Sequence, residues 1–381
     1  LNSYAYNTVE GHRLRVGFRT NTGFSRRWVI GGYGAYGTLD GRFKYGMNVD
    51  YIVAKKPWTI VGIQHSYDLE RLGVSSENLG SNALFGAYTR FGTFRRPYFQ
   101  ENTYAYIKRE LGRGFTQTVG VRNRTFDPLF AFAYRMPGST ITTPEDAIST
   151  DYRTTDLVFE TRFAPGELVL QNDNERFSVG ASNKPVLTFR YDLGLKNVFS
   201  GDFTYHRFAL NYQHSFRLGV LGRTRYAVNL AYIPSTIPYP LLNIPLGNQS
   251  FFYVDNAYNL MNYFEFVTDR QAALRWEHNF EGLFFNGIPA IRRLKWRFLT
   301  TAKVLYGSVS SANSALIPST DDQGRPVLGF QSLNRTPYVE VGYGIDNILK
   351  VFRVDAVHRL TYRNNPGIAT FGIRVSAWVG L

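Results

Sequence analysis

The absence of cysteine from 381 residues removes disulfides, thiolate metal ligands and cysteine nucleophiles together. Any chemistry must come from histidine, serine, carboxylates or charge. The six histidines are His12, His65, His206, His214, His278 and His358, and none forms an HExxH or comparable ligand pair. His206 and His214 share a strand face but lie about 26 Å apart at about 3.3 Å per residue, too far for one metal. Asp321-Asp322-Gln323-Gly324 is an acidic turn without the remaining ligands of a calcium loop. A hydrolytic site would need serine, histidine and an orienting polar group to converge. His358 instead falls on the apolar face of its segment and Ser376 on the polar face of the last one. The glycine runs at 31–37 and 342–344 are not phosphate loops, because no helix start or Lys-Ser/Thr follows. RFGTFRRPYF at 90–99 interleaves cations and rings as a nucleic-acid or polysaccharide binder would. It adjoins expected wall segments, however, and reads as a patch facing the lumen or lipopolysaccharide. The residues therefore assign no catalytic, cofactor-binding or metal role and no nucleic-acid partner.

The elements that could position the charged groups show a period of two. Leu14, Val16 and Phe18 alternate with Arg13, Arg15 and Arg19, and Phe43, Tyr45, Met47, Val49 and Tyr51 with Lys44, Asn48 and Asp50. The same alternation returns at 187–194 and 225–232, and closes the chain at 371–379, where Trp378 and Val379 take opposite faces. Fifteen such segments follow from residue 12 onward, including long runs at 264–280 and 294–307. Short connections at 112–114, 217–223 and 347–350 alternate with long ones at 70–101, 128–153, 234–263 and 308–336. Two connections break that rule, a tight 39–41 on the long side and a looser 164–184 on the short side. Single-chain membrane barrels have an even strand number, so residues 3–9 (SYAYNTV) supply the sixteenth strand.

The expected fold is all-β, a transmembrane antiparallel up-and-down β-barrel of about sixteen strands spanning residues 1–381 as a single domain. The longest uncharged stretch, 226–254, contains Pro234, Pro238, Pro240 and Pro245 and cannot form a spanning helix. The opening LNSYAYNTVEGHRL has no basic-then-apolar leader pattern. The wet face carries charges of both signs that can pair across a lumen, among them Glu265, Asp269, Arg275, Glu277, Glu340, Arg353, Asp355, Arg359 and Arg374. Trp28, Trp58, Tyr232, Phe280, Tyr306, Tyr362 and Trp378 are expected to mark interfacial girdles. A net charge of +14 suits an acidic or anionic partner, but the cations are spread along the whole chain. The proline-rich connection 234–263 holds the candidate gating residues Pro238, Tyr239, Leu241, Leu242, Ile244, Gly247, Asn248, Phe251 and Phe252. Its apolar side chains need cover, so it is expected to fold over or into the barrel mouth.

Several stretches together resemble one family of outer-membrane barrels: VEG at 9–11, GGYGAYG through RFKYG at 31–46, PYPLLNIPLGN at 238–248, NLMNYFEFVTDR at 259–270, WEHNFEGLFFNGIPAIRRLKWR at 276–297 and NRTPYVEVGYGIDNILKVFRVDAVHRL at 334–360. That family has unassigned function and usually follows a periplasmic carboxypeptidase-regulatory-like domain. It is similar to the larger superfamily of sixteen-stranded barrels that insert or secrete other β-proteins. The resemblance implies a Gram-negative outer membrane, contact with its lipid and lipopolysaccharide, periplasmic or surface protein partners, and a regulatory-like domain missing ahead of this chain. It also implies a part in translocation or assembly. A passive or substrate-specific channel or receptor, and an anchor for a periplasmic domain, fit the same residues. The superfamily docks an Arg-Gly-Phe/Tyr loop arginine against acidic wall residues. Residues 234–263 contain no arginine, and the RGF at 113–115 lies in a short turn. This loop is therefore expected to dock by apolar packing and backbone hydrogen bonds, with Asn248 and Asn259 forming local turns.

Overall fold

In the computed structural model the described residues are 3–74, 83–137, 148–180, 183–327 and 329–377. Sixteen antiparallel strands form one sheet in which each strand pairs with its neighbour in sequence. They are β1 (Tyr4–Asn7), β2 (Gly11–Arg19), β3 (Trp28–Gly37), β4 (Phe43–Lys55), β5 (Trp58–Arg71), β6 (Pro97–Gly112), β7 (Phe115–Pro128) and β8 (Tyr152–Phe163). The second half comprises β9 (Val186–Gly194), β10 (Tyr205–Arg217), β11 (Arg223–Tyr232), β12 (Arg270–Asn279), β13 (Arg297–Ser308), β14 (Tyr338–Ile348), β15 (Phe352–Arg359) and β16 (Phe371–Ala377).

The alternation read from sequence sets the register. Leu14, Val16, Phe18, Val61, Ile63, Ile107 and Ile373 are exposed on the outer face, whereas Arg13, Lys44, Asp68, Asp156, Asp192, Arg353 and Asp355 are buried on the inner one. A soluble sheet would reverse this arrangement. An apolar exterior around a charged interior is the pattern of a membrane barrel, with lipid replacing the core of a soluble protein. No described helix is long and apolar enough to cross a membrane.

Two expected strands begin late. The run 264–280 becomes a strand only at Arg270, because Phe264 adopts φ +58° and Thr268 pairs backbone to backbone with Asn243. Glu265 and Asp269 therefore sit on the loop, not on the wall. Likewise Lys295, at φ +54°, delays the run 294–307 to Arg297. Of the expected girdle residues, Trp28, Tyr232 and Tyr306 are exposed on the outer face. Trp58 instead points inward and is buried beneath Arg176. Tyr362 folds over the loop residue Phe266, with ring centroids 5.1 Å apart. Trp378 and Val379 lie outside the described residues.

The main apolar cluster sits inside the barrel at the long-connection end. There the inward rings Tyr98, Phe126, Tyr152 and Tyr205 meet Phe132, Ile237, Tyr239, Leu241, Leu242 and Val267 from the connections. At the opposite end the chain after β8 forms a hairpin, Leu168–Asn172 against Glu175–Gly180. It reaches the turns between β2 and β3 and between β4 and β5. Lys55 Nζ donates to Asp173 at 3.0 Å, and Asn174 Nδ2 to the Ser25 carbonyl at 3.0 Å.

Candidate functional site: the lumen loop and the strand seam

The connection between β11 and β12, residues 233–269, fills the upper lumen. It opens with a 3-10 turn at Tyr239–Leu241, entered from Pro238 with an extended ψ of 145°. Pro238, Tyr239, Leu241, Leu242, Gly247 and Asn248 are buried, and Ile244 and Phe252 are half-buried. Tyr239 packs edge-on against Phe132, with ring centroids 5.2 Å apart, and tilted against Phe264 at 5.5 Å. Gly247 bridges Tyr258 where the loop crosses itself, and a Cβ there would stand 2.5 Å from the Asn262 carbonyl. No larger residue fits that crossing.

Asn248 and Asn259 form the expected turns. Asn248 Oδ1 accepts from Ser250 N at 2.8 Å, its Nδ2 donates to the Phe252 carbonyl at 2.6 Å, and Asn259 Oδ1 accepts from Val254 N at 2.9 Å. Three loop residues are thereby fixed for docking to the wall. Glu340 on β14 accepts the Asn259 and Leu260 N–H groups at 2.8 and 3.1 Å. Arg374 on β16 donates to the Asn259 carbonyl at 2.8 Å, and Lys303 on β13 to the Val254 carbonyl at 2.8 Å.

Docking is not by backbone bonds and apolar packing alone, as the sequence suggests. Arg359 on β15 makes an ion pair with Glu265 of the loop at 2.6 Å. The loop supplies the carboxylate because its chain stays off the wall until Arg270. Below it, Arg353 pairs with Asp355 two residues on and with Glu277 across the lumen at 2.6 Å. Glu277 also accepts from Arg225. Arg275 points at the Asp255 carbonyl from 3.5 Å. Asp269 accepts from Ser310 N at 2.7 Å and from Asn313 Nδ2 at 3.1 Å, tying the loop to the β13–β14 connection.

Several participants escape a reading by residue type. Tyr253 lies under both Arg353 and Lys303, with the cations 4.3 and 4.7 Å from its ring centroid. Strand parity places Lys303 inward, but nothing local marks Tyr253. A second buried network joins the first strands. Glu10 of the VEG stretch pairs with Arg13 at 2.6 Å and with Lys44 of RFKYG at 3.0 Å, while Asp68 takes Arg13 at 2.8 Å and the Tyr33 hydroxyl at 2.6 Å. These two sequence stretches thus meet inside the barrel.

The sheet ends at β1 and β16, and among the described residues no ladder joins them. Both free edges are occupied by in-chain segments. On β16, Val375 N donates to the Phe251 carbonyl at 3.0 Å and Tyr253 N donates to the Val375 carbonyl at 2.9 Å, a parallel bridge centred on Phe252. On β1, Gly92 N donates to the Tyr6 carbonyl at 2.9 Å and Thr8 N to the Gly92 carbonyl at 3.2 Å. The two capping loops touch, because Tyr88 stands edge-on to Phe251 and Phe252 at 5.9 Å each. Phe251, at 56% exposure, is therefore a seam residue rather than part of the buried plug.

The histidines share no site. His206 binds the Tyr191 hydroxyl at 2.8 Å and His65 the Thr103 hydroxyl at 2.8 Å, on the outer face. The Asp321 carboxylate is taken by the Arg325 backbone N–H and guanidinium, both at 2.8 Å. Beneath the loop, a cavity of about 470 Å³ is lined by Glu70, Asn102, Arg124, Glu160, Arg190 and Arg207 among others.

The fold is similar to that of BamA from Haemophilus ducreyi lacking POTRA domains 1–3, with TM-score 0.60 and 10% identity over 98% of this chain and 69% of that one. CdiB from Acinetobacter baumannii is more distant, with TM-score 0.43 and 12% identity over 98% of this chain and 58% of that one. Curated proteins give no match to the sequence. Residues 1–312 match the family model described as "Family of unknown function (DUF5686) C-terminal domain", and the chain belongs to that family.

Proposed function

We propose that this chain is an outer-membrane barrel that takes part in moving or assembling other outer-membrane or surface components, with the 233–269 loop as its gate. One observation carries the reading: the same loop fills the lumen and caps the β16 edge at Phe251–Tyr253. Displacing it uncovers two things together, an aqueous path lined by charges and a row of unpaired backbone donors and acceptors. An exposed strand edge is a template for another strand, so an opened barrel can offer both a passage and a place for an extended polypeptide to add. The likeness of fold to BamA points the same way by analogy. A passive, permanently open pore is disfavoured by the buried Tyr239, Leu241 and Leu242 packed across the mouth.

Single-channel recording in planar bilayers tests the gate. The intact chain should show a low resting conductance with brief openings, and deletion of residues 241–252 should raise the resting level. Equal conductance in the two proteins would leave a barrel without this gate.

A further inference from the structure

The cations look scattered in sequence, but the topology gathers many of them at one rim, the end from which β1 starts and at which β16 finishes. The densest part is the connection between β12 and β13. Arg292, Arg293, Lys295 and Arg297 are all exposed there, flanked by exposed Arg223 and Lys350 from the adjacent turns. Against them stand Glu281, paired with Arg217 at 2.5 Å, and Asp346 near the end of β14, opposite Arg297. The local surface is strongly positive.

The same connection exposes large apolar side chains, Leu283, Phe284, Ile288 and Leu294. Phe284 does not turn into the lumen. Phe284 packs on Phe280 at 5.1 Å and on Phe298 at 5.5 Å, two rings that end the outward-facing rows of β12 and β13. The apolar surface of the connection is thus continuous with the lipid-facing wall. Asn347 Nδ2 donates to the Lys295 carbonyl at 2.7 Å, holding the cationic end beside the next turn. Cations above apolar side chains, at the level where the wall leaves the hydrocarbon, are the chemistry of an interfacial segment on an anionic lipid surface.

We infer that residues 280–297 form an anchor that grips the anionic phospholipid leaflet on the side of the chain termini. Leu283, Phe284 and Ile288 enter the headgroup–acyl boundary, and Arg292, Arg293 and Lys295 bind lipid phosphates. An acidic protein could also meet a basic rim, but it would not need exposed leucine and phenylalanine merged with the lipid-facing belt. The inference depends on the membrane barrel alone and not on the gate.

The cysteine-free sequence allows a direct test. A single L283C substitution carries an environment-sensitive fluorophore, and the full chain is folded into vesicles of phosphatidylcholine alone or mixed with phosphatidylglycerol. Emission should shift to the blue in the mixed vesicles, with quenching by headgroup-level spin-labelled lipid. The difference should shrink at high salt, because exposed charges are screened over about 3 Å at 1 M. The R292Q/R293Q/K295Q variant should give the phosphatidylcholine spectrum in both vesicles. If that variant does not fold, the salt and lipid dependence of the singly labelled protein decides the question alone. Water-like emission in both vesicle types, or a spectrum indifferent to lipid charge, would overturn the anchor and leave the rim to a soluble acidic partner.

Discussion

Arg359 on the wall and Glu265 on the lumen loop face each other with both side chains almost wholly buried and two contacts of 2.6 and 3.0 Å. The remaining guanidinium donors go to the Leu260, Thr361 and Tyr362 carbonyls. Here the wall supplies the arginine and the loop the acid. The loop is thus tied to the wall by an ion pair even though residues 234–263 carry no arginine.

Removing one partner should therefore cost far more than the pair is worth. A buried charge left alone costs roughly 3–5 kcal/mol. E265Q and R359M should each loosen the loop and raise the resting conductance, while the E265R/R359E exchange should recover part of the loss. Protection of a cysteine placed at Leu241 against an aqueous thiol reagent provides the readout. Full protection in E265Q would show that apolar packing alone seats the loop.

The capped β16 edge gives a second prediction. Phe252 and Val375 are partners in a parallel bridge, and adjacent strands run about 4.8 Å apart, inside the range of roughly 4.4–6.8 Å between Cα atoms that a disulfide spans. With no native cysteine to compete, F252C/V375C should oxidise readily, and the oxidised protein should lose its channel openings until reductant is added. Openings of unchanged frequency under oxidation would mean that the gate moves without leaving the seam.

Much of this was legible from residue order because a barrel wall is local in sequence. Alternation at Leu14, Val16 and Phe18, or at Arg353 and Asp355, assigns faces without knowledge of any distant contact, and parity supplied β1 at Tyr4–Asn7. The loop was legible only as proline-rich apolar chain needing cover. Its partners are set by long-range closure: Glu265 meets Arg359 94 positions away, and Gly92 meets β1. Period two also misplaced Glu265 and Asp269, since the alternation continues after Phe264 has left extended geometry at φ +58°. Parity could have corrected Trp58, which shares the inward face with Ile60 and Asp68 rather than the outer one.

Acidity should release the tie between the two long connections. Burial pushes the Asp269 carboxyl up, but donors on Ser310 and Asn313 and the charge of Arg270 outweigh it and hold the group below its ordinary value. A depressed carboxyl stabilises fully above the unfolded value, about 3.9, and loses that contribution as pH falls through the lower folded value. The distance between spin labels on cysteines placed at Ile237 and Ser314 should accordingly be constant from pH 7 to about pH 5 and lengthen below about pH 4. D269N should flatten the profile; a wild-type profile that persists in D269N would assign the acid response elsewhere.

In the gated barrel proposed above the two mouths act in series, which gives each obstruction a different signature. The loop packs an apolar cluster across the long-connection end. The Leu168–Asn172/Glu175–Gly180 hairpin crosses only part of the opposite mouth and leaves a cavity of about 880 Å³ lined by Lys108, Glu110, Glu160 and Arg162 among others. In a series path the larger resistance controls the current. Replacing residues 169–178 by a short Gly-Ser turn should therefore leave the resting conductance near that of the intact chain, because the loop still blocks the path. Deleting 241–252 should raise it, and the double change should exceed the loop deletion, because the hairpin becomes the narrowest point once the loop is gone. A hairpin replacement that opens the pore with the loop intact would place the controlling constriction at the other mouth and reverse the roles of the two elements.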